Sequence, residues 1–522
     1  MQIIHSKICL SFLFLISLLS FSTHAQIINS DSKSATIADF SKQSFFFGIA
    51  TAPAHIEEGL DDSWLEFAKA GKVAAFYNQP IPEERLRFFT DYKTEIDLAA
   101  STGVQVFRMG VDWGRLVPNK PDLSSCGKSG GIQNLEALKR YDEMVDYALS
   151  KDMKIMMTLF HHSPPKWFIE AGGWPAHNSD CFVKFSKDVV DHFSSRVSYW
   201  ITFNEPAVYN MFVYVVGIWP PGFSSPKPAE AISIPGIHKG DFYKACDRMV
   251  EAHSALFKYI HKDLGLKTPV GIAHNVAWHK ATSTLSEVGA MASRNSMNYH
   301  FLDLIIDQVD YIGLNYYGAE YVTTTGLAIK DGVEYSDSGR AIDPYGLYGL
   351  LVKLNQRYNV NLTSRKTKNK LPFIITENGV SESGDIIRPA YIVEHLLALK
   401  EAMNEGINVL GFIYWTVSDN WEWADGYCPK FGLFSVDRAN NLARIPRPHS
   451  FSLFKDIATS GVITQDQRDQ SWDRVAVAQK TAASRLMCRD ADGKTSLDVP
   501  VQRLFAKTDW RFNKKNTQKE NP

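Results

Sequence analysis

Two glutamates, each placed after a short apolar run, are the residues of this chain best suited to chemistry. Glu377 follows the run 373–375 and a threonine, and the Asn-Gly pair behind it signals a turn. Glu205 follows the run 199–203 and an asparagine. A carboxylate in such a half-buried position is costly unless it is paired or has a task. Two carboxylates that face one pocket are able to cleave a glycosidic bond, one as the acid/base and the other as the nucleophile.

Each glutamate taken singly has a simpler explanation, which is a carboxylate held in a salt bridge at the end of a strand. The repetition of the pattern favours a shared pocket. Both runs combine apolar residues with a threonine, and each is followed by a glutamate beside an asparagine. The sequence therefore predicts two strand-end carboxylates at a common site, provided that the fold brings the two strand ends together.

Eight apolar runs alternate with longer stretches of helical pattern, and this alternation predicts the fold. The runs are 45–50, 104–109, 154–160, 199–203, 270–274, 311–317, 373–375 and 409–415. Eight strands that alternate with helices indicate an α/β protein with a single (β/α)₈ barrel, or TIM barrel, with inserted loops and a C-terminal extension. The active site of such a barrel lies at the carboxyl ends of its strands.

Polar and aromatic side chains stand repeatedly near the ends of these runs or shortly after them, as an active site at the strand ends requires. They are His55, Arg108, His161, His162, Asn204, Glu205, Asn315, Tyr317, Glu377 and Trp415. Any one of them would be explained as a strand cap or a loop residue. Their recurrence after successive runs favours a common polar face at the carboxyl end of the barrel.

The composition is that of a large globular protein without a bias toward a charged partner. The chain has 522 residues, 45% of them hydrophobic, and a formal net charge of −1. This length allows two or three average domains as well as one barrel with insertions. The balanced charge offers no electrostatic basis for binding nucleic acid.

The cysteines indicate neither a metal site nor a disulfide scaffold. Those beyond residue 25 are Cys126, Cys181, Cys246, Cys428 and Cys488. Their odd number and low density argue against a disulfide framework, although an oxidising compartment would allow one bridge. No Cys/His cluster has the spacing of a zinc site, so we expect no metal.

The N-terminal segment is expected to lie outside the barrel. A hydrophobic run at 8–21 follows Lys7 and precedes small residues, which is typical of a secretory signal over residues 1–25. An uncleaved membrane anchor is the alternative, because the run could span a bilayer with help from its flanks. We therefore expect a secreted or extracytoplasmic (periplasmic) protein, or one held at a membrane by that anchor. The predicted division of the rest is a polar leader (26–43), the barrel (44–464) and the extension (465–522).

The segments around the two glutamates are similar to the two signature motifs of glycoside hydrolase family one. They read Thr-Phe-Asn-Glu-Pro (202–206) and Ile-Thr-Glu-Asn-Gly (375–379). Further segments that resemble the family stand in the family's order, at 47–52, 107–109, 159–161, 313–317 and 419–427. The resemblance covers most of the predicted barrel and implies a β-glucosidase-like retaining enzyme.

The resemblance implies a role for each carboxylate. Glu377 would attack the anomeric carbon, and Glu205 would protonate the leaving oxygen and then deprotonate the incoming acceptor. Retaining enzymes hold two such carboxyls about 5–5.5 Å apart, and we expect that spacing here. The roles require a protonated Glu205 beside an ionised Glu377. Arg108 and Tyr317 would hold Glu377, and an ion pair with Arg108 would stabilise the barrel as well.

The same resemblance implies a set of sugar-binding residues, because each buried hydroxyl needs a hydrogen-bonding partner. They are His55, His161, Asn204, Asn315, Trp415, Glu422 and Trp423. Core packing explains Trp415 better when it is taken alone, whereas its place in the motif order favours a platform beneath the sugar ring. The family normally has Gln at His55 and Trp at His162, so the identity of the glycone stays open. No cofactor is implied, because the reaction needs only proton transfer, a nucleophile and preorganised charge.

Three functions remain open at this point. The first is a retaining β-glycosidase that hydrolyses a β-glucoside or a β-galactoside. The second is a transglycosylase that passes galactose between galactolipids through the same intermediate. Segments 52–55, 160–163 and 509–512 resemble a plant branch of the family with that activity, the sensitive-to-freezing galactolipid galactosyltransferases. The third is a non-catalytic sugar-binding barrel, which the two intact carboxylates disfavour. Loops 217–240 and 322–344 would decide between water and a glycolipid as acceptor.

The extension suggests a peripheral contact with a membrane. Residues 472–486 have the pattern of an amphipathic helix, and the segment 507–519 is basic. A solvated chain end is the simpler explanation. A lipid surface is the alternative, although a few basic residues give only weak attraction.

Overall fold

The structure is a computed structural model that describes residues 34–73, 75, 85–176, 179–222, 239–324, 326–361, 369–489 and 496–515. The strands of these residues are β1 (Thr36–Asp39), β2 (Phe46–Ala50), β3 (Val106–Gly110), β4 (Lys154–Thr158), β5 (Val197–Asn204), β6 (Val270–Ala281), β7 (Ile312–Val322), β8 (Leu327–Ala328), β9 (Phe373–Asn378), β10 (Val409–Tyr414), β11 (Phe434–Asp437), β12 (Ala443–Pro446), β13 (Val462–Thr464), β14 (Ser484–Arg489) and β15 (Ser496–Leu504).

Eight parallel strands close into a barrel in the order β6-β5-β4-β3-β2-β10-β9-β7, and β7 pairs back to β6. In chain order these strands are the eight predicted runs, so the prediction of a (β/α)₈ barrel is confirmed. Several of them extend beyond the predicted ends, and β6 and β7 remain paired as far as Ala281 and Val322. The short β8 adds an antiparallel pairing to β7 outside the barrel.

Successive residues of a barrel strand pack into two different cores. On β9, Ile374 packs in the barrel interior with Val106 and Met156. Its neighbours Phe373 and Ile375 pack in the layer between the sheet and the surrounding helices. Burial on both faces explains why these strands appear in the sequence as unbroken apolar runs.

Helices cover the outer face of the barrel and form most of its connections. The α-helices are Pro53–Ile56, Ser63–Lys69, Tyr92–Ser101, Trp113–Leu116, Cys126–Ser129, Leu135–Leu149, Lys166–Glu170, Gly173–Ala176, Asp180–Phe193, Pro206–Asn210, Asp241–Lys258, Glu287–Ser293, His300–Ile305, Pro344–Asn355, Arg388–Asn404, Pro448–Ser460 and Gln465–Lys480. Shorter 3₁₀ and π segments are Leu123–Ser125, Met211–Val216, Tyr259–Asp263, Thr284–Ser286, Arg294–Tyr299, Ile306–Gln308, Gln356–Val360 and Trp423–Asp425.

Segments on both sides of the predicted barrel have structure that the sequence analysis did not anticipate. In the predicted polar leader, β1 pairs antiparallel with β13. The helix predicted at 472–486 has the wrong bounds. It begins at Gln465, where Thr464 and Gln467 form a capping box, and it ends before β14 begins.

Two disulfides, Cys126–Cys181 and Cys428–Cys488, are present where the sequence analysis allowed one. The partners are 55 and 60 residues apart in the chain, so only the tertiary fold brings them together. The predicted signal segment 1–25 lies outside the described residues. Within the part of the chain that is described, no helix has the length and apolar character needed to cross a membrane.

Candidate active site

The residues predicted to act in catalysis and sugar binding meet at the carboxyl ends of the barrel strands. They stand on β3 (Arg108), at the end of β5 (Asn204, Glu205), on β7 (Asn315, Tyr317), on β9 (Glu377) and directly after β10 (Trp415). A pocket of about 130 Å³ at this place is lined by His55, His161, Asn204, Glu205, Tyr317, Glu377, Trp415, Glu422 and Trp423. Arg108 and Asn315 are fully buried and contact the pocket carboxylates.

Both carboxylate oxygens of Glu377 accept a strong hydrogen bond. The Nη1 atom of Arg108 donates to Oε1 at 2.5 Å, and the Tyr317 hydroxyl donates to Oε2 at 2.6 Å. Arg108 is completely buried, so the pair is shielded from water. A buried guanidinium without its carboxylate would be costly, and the contact therefore stabilises the barrel as well as orienting Glu377.

Glu205 is held by neutral side chains. The amide groups of Asn315 and Asn275 donate to its Oε1 atom at 2.9 and 3.1 Å, and His162 Nε2 lies 4.0 Å from Oε2. Asn204 connects this carboxylate to the other one, because its Oδ1 atom accepts from Asn315 at 3.0 Å and from Arg108 at 2.8 Å. The two glutamates thus belong to one hydrogen-bonded network.

The pKa values of the two carboxyls differ from the predicted order. Burial, together with the charge of Glu205, raises the pKa of Glu377 to about 7, although Arg108 and Tyr317 oppose that shift. Burial also acts to raise the pKa of Glu205, but hydrogen bonds from His162, Asn315 and Asn275 outweigh it, and the pKa of Glu205 lies below its usual value. The predicted arrangement needs the proton on Glu205.

Two physical considerations favour the predicted arrangement at neutral pH. Part of the lowering at Glu205 comes from a positive charge on His162. Burial lowers the pKa of His162 itself, so its imidazole is neutral at pH 7 and that charge is absent. Glu377, in contrast, contacts the permanent charge of Arg108, which stabilises its ionised form.

Two histidines of the pocket leave one ring nitrogen each without a partner, one an acceptor and the other a donor. Nδ1 of His55 donates to the carbonyl oxygen of Trp421, which leaves Nε2 as an acceptor. Nε2 of His161 accepts from the Asn204 amide at 2.9 Å, which leaves Nδ1 as a donor. His55 Nε2 and His161 Nδ1 are buried and have no hydrogen-bonding partner among the described residues. Burial lowers the pKa of both rings, that of His55 to about 3, so both are neutral.

Trp415, Glu422 and Trp423 complete this set of predicted residues, and the two indole rings contact the rings of His55 and His161. Trp415 Nε1 donates to Glu422 Oε1 at 3.1 Å, and burial raises the pKa of Glu422 well above its usual value. The ring of Trp423 packs edge-on to that of His55, with the ring centres 4.1 Å apart. Three residues of the site, His162, Glu205 and Trp423, have positive φ angles of 60°, 42° and 54°. Such left-handed backbone is unfavourable for non-glycine residues and is typical of functional sites.

Several residues that line the pocket were not predicted from the sequence. They are Asn275, Ser336, Ser338, Arg340, Asp425 and Arg489. The predicted acceptor loop 322–344 contains three of them, whereas residues 223–238 of the other predicted loop lie outside the described residues. Arg489 belongs to the extension, and its nearest sequence signal is the adjacent Cys488.

Among the described residues, no group of three or more His, Cys, Asp or Glu side chains is arranged to hold a metal ion.

Comparison with known proteins identifies one family, and the relatives found are named either as a galactolipid galactosyltransferase or as glycosidase-like proteins. The model of the family "Glycosyl hydrolase family 1" matches residues 38–313 and 281–462. The galactolipid galactosyltransferase SFR2, chloroplastic, of Arabidopsis thaliana is 40% identical over 92% of this chain and 85% of its own length. The β-glucosidase-like SFR2, chloroplastic, of Oryza sativa subsp. japonica is 39% identical over 91% of this chain and 84% of its length. A β-galactosidase of Saccharolobus solfataricus is 26% identical over 81% of this chain and 96% of its length.

Solved structures agree with the fold. The β-glycosidase from Pyrococcus horikoshii has a TM-score of 0.68 and 26% identity, covering 83% of this chain and 98% of that one. A β-glucosidase from Thermotoga maritima in complex with deoxynojirimycin has the same TM-score at 22% identity, covering 82% of this chain and all of that one. At that lower identity the likeness concerns the fold alone.

Proposed function

The chain belongs to glycosyl hydrolase family 1, and we propose that it cleaves β-O-glycosidic bonds with retention of configuration, by double displacement. Glu377 is the nucleophile and Glu205 the acid/base of this proposal. The observation that supports it is the contrast between the two carboxylates of one pocket. Glu377 is held by Arg108 and Tyr317, whereas the amides of Asn275 and Asn315 donate to Glu205.

In the first step, an oxygen of Glu377 bonds to the anomeric carbon while the bond to the leaving oxygen breaks. Glu205 transfers its proton to that oxygen. Arg108 and Tyr317 keep Glu377 ionised and aimed until attack. As the ester forms, the negative charge on Glu377 disappears, and so does the repulsion that disfavoured an ionised Glu205. Glu205 is then an effective base.

In the second step, Glu205 removes a proton from an incoming hydroxyl, whose oxygen bonds to the anomeric carbon. The ester bond breaks, and Glu377 leaves as a carboxylate. Water as acceptor completes hydrolysis, and a sugar hydroxyl completes transfer. The unpartnered atoms of His55 and His161 bind hydroxyls of the transferred sugar in both steps.

A 2-deoxy-2-fluoro glycoside with a dinitrophenyl leaving group tests the assignment, because it forms the intermediate quickly and releases it slowly. We expect the intact mass of the protein to rise by one fluorosugar and the label to be found on Glu377 after proteolysis. Glu377→Gln should take no label while remaining folded, with a lower melting temperature because the buried Arg108 loses its ion-pair partner. A label on another residue, or labelling of the Gln variant, would exclude Glu377 as the nucleophile.

Galactosyl transfer between galactolipids is the second candidate, and a specific feature of this chain favours it. A second cavity of about 280 Å³ shares Val208, Phe212, Asn275 and Arg340 with the wall of the catalytic pocket. Further apolar residues line it, namely Met211, Val216, Met297, Val322 and Leu327. An apolar space beside the acid/base suits a substrate with a hydrocarbon part. The relative with 40% identity carries this activity in its name.

One incubation separates the two candidates. The purified protein is given an aryl β-galactoside, an aryl β-glucoside and a monogalactosyl lipid, and free sugar is separated from oligogalactolipid. Oligogalactolipid with little free galactose would exclude the hydrolase, and free sugar alone would exclude the transferase. The two aryl substrates also identify the glycone.

Localisation and membrane contact are proposals as well. The hydrophobic run 8–21 supports an N-terminal targeting segment, and the two SFR2 relatives are named chloroplastic. The basic end of the extension supports a weak membrane contact, although Lys514 is paired with Glu401 at 3.0 Å. Fusion of residues 1–33 to a fluorescent protein, and co-sedimentation of the full chain with anionic vesicles, test the two points separately.

A further inference from the structure

The C-terminal extension forms part of the catalytic pocket. The family match ends at residue 462, and beyond it the hairpin of β14 and β15 runs back toward the barrel mouth. Cys488 on β14 forms a disulfide with Cys428, which lies three residues after Asp425. The next residue, Arg489, lines the pocket together with Asp425. A cationic side chain from outside the matched barrel thus reaches the catalytic centre.

The hairpin holds the loop that carries Glu422 and Trp423. Arg489 Nε is 2.7 Å from Asp425 Oδ2 in a largely buried ion pair. Ser496, at the start of β15, donates from its hydroxyl to the carbonyl oxygen of Ala424 at 2.8 Å. With the disulfide, these contacts attach the hairpin to one side of the pocket.

The hairpin also holds the segment that carries Ser336, Ser338 and Arg340. Arg485 Nη2 donates to Glu334 Oε1 at 2.8 Å, and the Cys488 amide donates to the carbonyl oxygen of Asp337 at 2.7 Å. Ser336, Ser338 and Arg340 line the same pocket as Arg489. The extension therefore joins two loops. Together they form a polar wall of the pocket, which consists of Ser336, Ser338, Arg340 and Arg489.

This polar wall lies on the acceptor side of the pocket. Arg340 lines the pocket together with Asn275, whose amide donates to Glu205 at 3.1 Å. Burial and the nearby charge of Arg489 lower the pKa of Arg340 to about 10, while the charge of Glu205 opposes that shift, so Arg340 remains charged at neutral pH. Glu205 must touch the oxygen that leaves or enters, so side chains beside it face the acceptor rather than the transferred sugar.

The charges of the wall are balanced by neighbouring carboxylates. Arg340 forms an ion pair with Glu320, and Arg489 forms one with Asp425. An ion pair of a guanidinium and a carboxylate has no net charge, and its guanidinium still presents N–H donors. The serine hydroxyls both donate and accept. Such a surface suits the hydroxyls of a neutral sugar better than a phosphate or a carboxylate.

We propose that Arg489, together with Arg340, Ser336 and Ser338, forms the subsite that binds a neutral sugar acceptor. This subsite sets how the glycosyl-enzyme partitions between that sugar and water. The inference rests on the double displacement proposed above. A hydroxyl of the bound sugar gives its proton to Glu205 and bonds to the anomeric carbon, while the ester bond to Glu377 breaks. The acceptor is a free sugar or the sugar headgroup of a glycolipid.

Reactivation of the trapped enzyme tests the proposal. The 2-fluoroglycosyl-enzyme is freed of excess reagent, and recovery of activity is followed in buffer alone, with methyl β-galactoside, and with monogalactosyl diacylglycerol in detergent micelles. In the natural chain, acceptor accelerates recovery and saturates. In Arg489→Leu, we expect about a tenfold higher half-saturating acceptor concentration, as for loss of one hydrogen bond to a charged group. Acceleration by methyl β-galactoside identifies a free sugar as an acceptor. Acceleration by the lipid alone identifies the sugar headgroup of a glycolipid as the acceptor.

Two further variants separate binding from structural support. Arg489→Lys keeps the charge and should recover part of the acceptor dependence. Arg511→Gln is the matched control, because Arg511 belongs to the same extension and its ion pair is with the exposed Asp509. This control should keep the ratio of acceptor-driven to water-driven recovery.

Three outcomes would overturn the proposal. The first is an unchanged ratio in Arg489→Leu. The second is an equal slowing of recovery in buffer and of recovery with acceptor, together with a higher KM for the glycoside. Arg489 would then only support the loop that carries Glu422. The third is absence of any label on Glu377, which would overturn the double displacement together with the subsite.

Discussion

At the scale of single residues, a glutamate becomes a nucleophile or an acid according to the donors that reach its oxygens. Glu377 contacts a guanidinium and a phenol, and Glu205 contacts two amides. Asn275 was not predicted, although it directly follows the apolar run 270–274, and the structure places it within the longer strand β6. The left-handed backbone at Glu205 directs its side chain, and sequence patterns do not reveal such a φ angle.

Glu205→Gln should affect substrates according to their leaving groups. A poor leaving group needs the proton from Glu205, so we expect kcat/KM for an alkyl β-glycoside to fall by about 10³-fold. A dinitrophenyl glycoside leaves without that proton, and its kcat/KM should fall by less than about tenfold. Glu251→Gln, which removes an exposed carboxylate on a helix, is the control. Equal losses on both substrates would contradict the acid role.

His162→Phe should move the alkaline limb of the pH profile. The first step needs protonated Glu205, so kcat/KM falls as the pH rises through the pKa of Glu205. The polar contact with His162 lowers that pKa apart from any charge on the imidazole, and its removal should shift the limb to higher pH. Phenylalanine retains a ring against Tyr209, with which His162 is stacked at 5.7 Å. An unchanged or lower alkaline limb, measured with a substrate that needs the proton, would contradict this assignment.

At the scale of secondary structure, the spacing between neighbouring strands positions the site. Gly313 on β7 stands opposite Ala273 on β6 and Ile374 on β9. An added Cβ at Gly313 would overlap the carbonyl oxygen of Ile272 and lie 2.8 Å from the Thr376 side chain. The glycine therefore allows β6 and β9 to approach β7, and these strands carry Asn275 and Glu377.

Gly313→Ala should consequently lower both stability and activity. Overpacking at a closed barrel costs about 1–3 kcal/mol in the free energy of unfolding, and displacement of β9 would misplace Glu377. Denaturant unfolding and kcat on an aryl glycoside measure the two effects. Gly127→Ala is the control, since no heavy atom lies within 4 Å of its added Cβ. Wild-type values for Gly313→Ala would show that the strand spacing tolerates a methyl group.

At the scale of the whole molecule, the barrel was predictable because its strands are buried on both faces. Each appears as an apolar run, and the polar residues behind the runs indicate the catalytic end. The sequence alone therefore located the residues contributed by strand ends. Family motifs were needed for Glu422 and Trp423, which lie on a loop with no periodic pattern.

The wall formed by Arg340 and Arg489 was only partly predictable, because the sequence analysis named the acceptor loop 322–344, which contains Arg340, but not Arg489. Its residues come from an inserted loop and from the extension, and only the tertiary fold places them beside Glu205. The disulfide between Cys428 and Cys488 was equally hidden, because 60 residues separate the partners. The tail helix was predicted with wrong bounds because its apolar pattern continues into β14, where alternate residues are buried.

The extension and the barrel should unfold as one unit. Trp472 of the tail helix is 5% exposed and packs in one cluster with Ile387 and Tyr391 of the barrel, and its Nε1 atom donates to Glu394 at 2.8 Å. Trp472→Ala should therefore lower the stability of the entire chain by about 3–5 kcal/mol, with one calorimetric transition at a lower temperature. Val477→Ala on the same helix, at a position that is 60% exposed, should change it by less than about 0.5 kcal/mol.

A new early transition in Trp472→Ala, with the main transition at its original temperature, would mean that the extension folds independently. The pocket would then exist without its polar wall at intermediate temperatures, and hydrolysis would outlast sugar transfer on heating. Under joint unfolding, both activities disappear together.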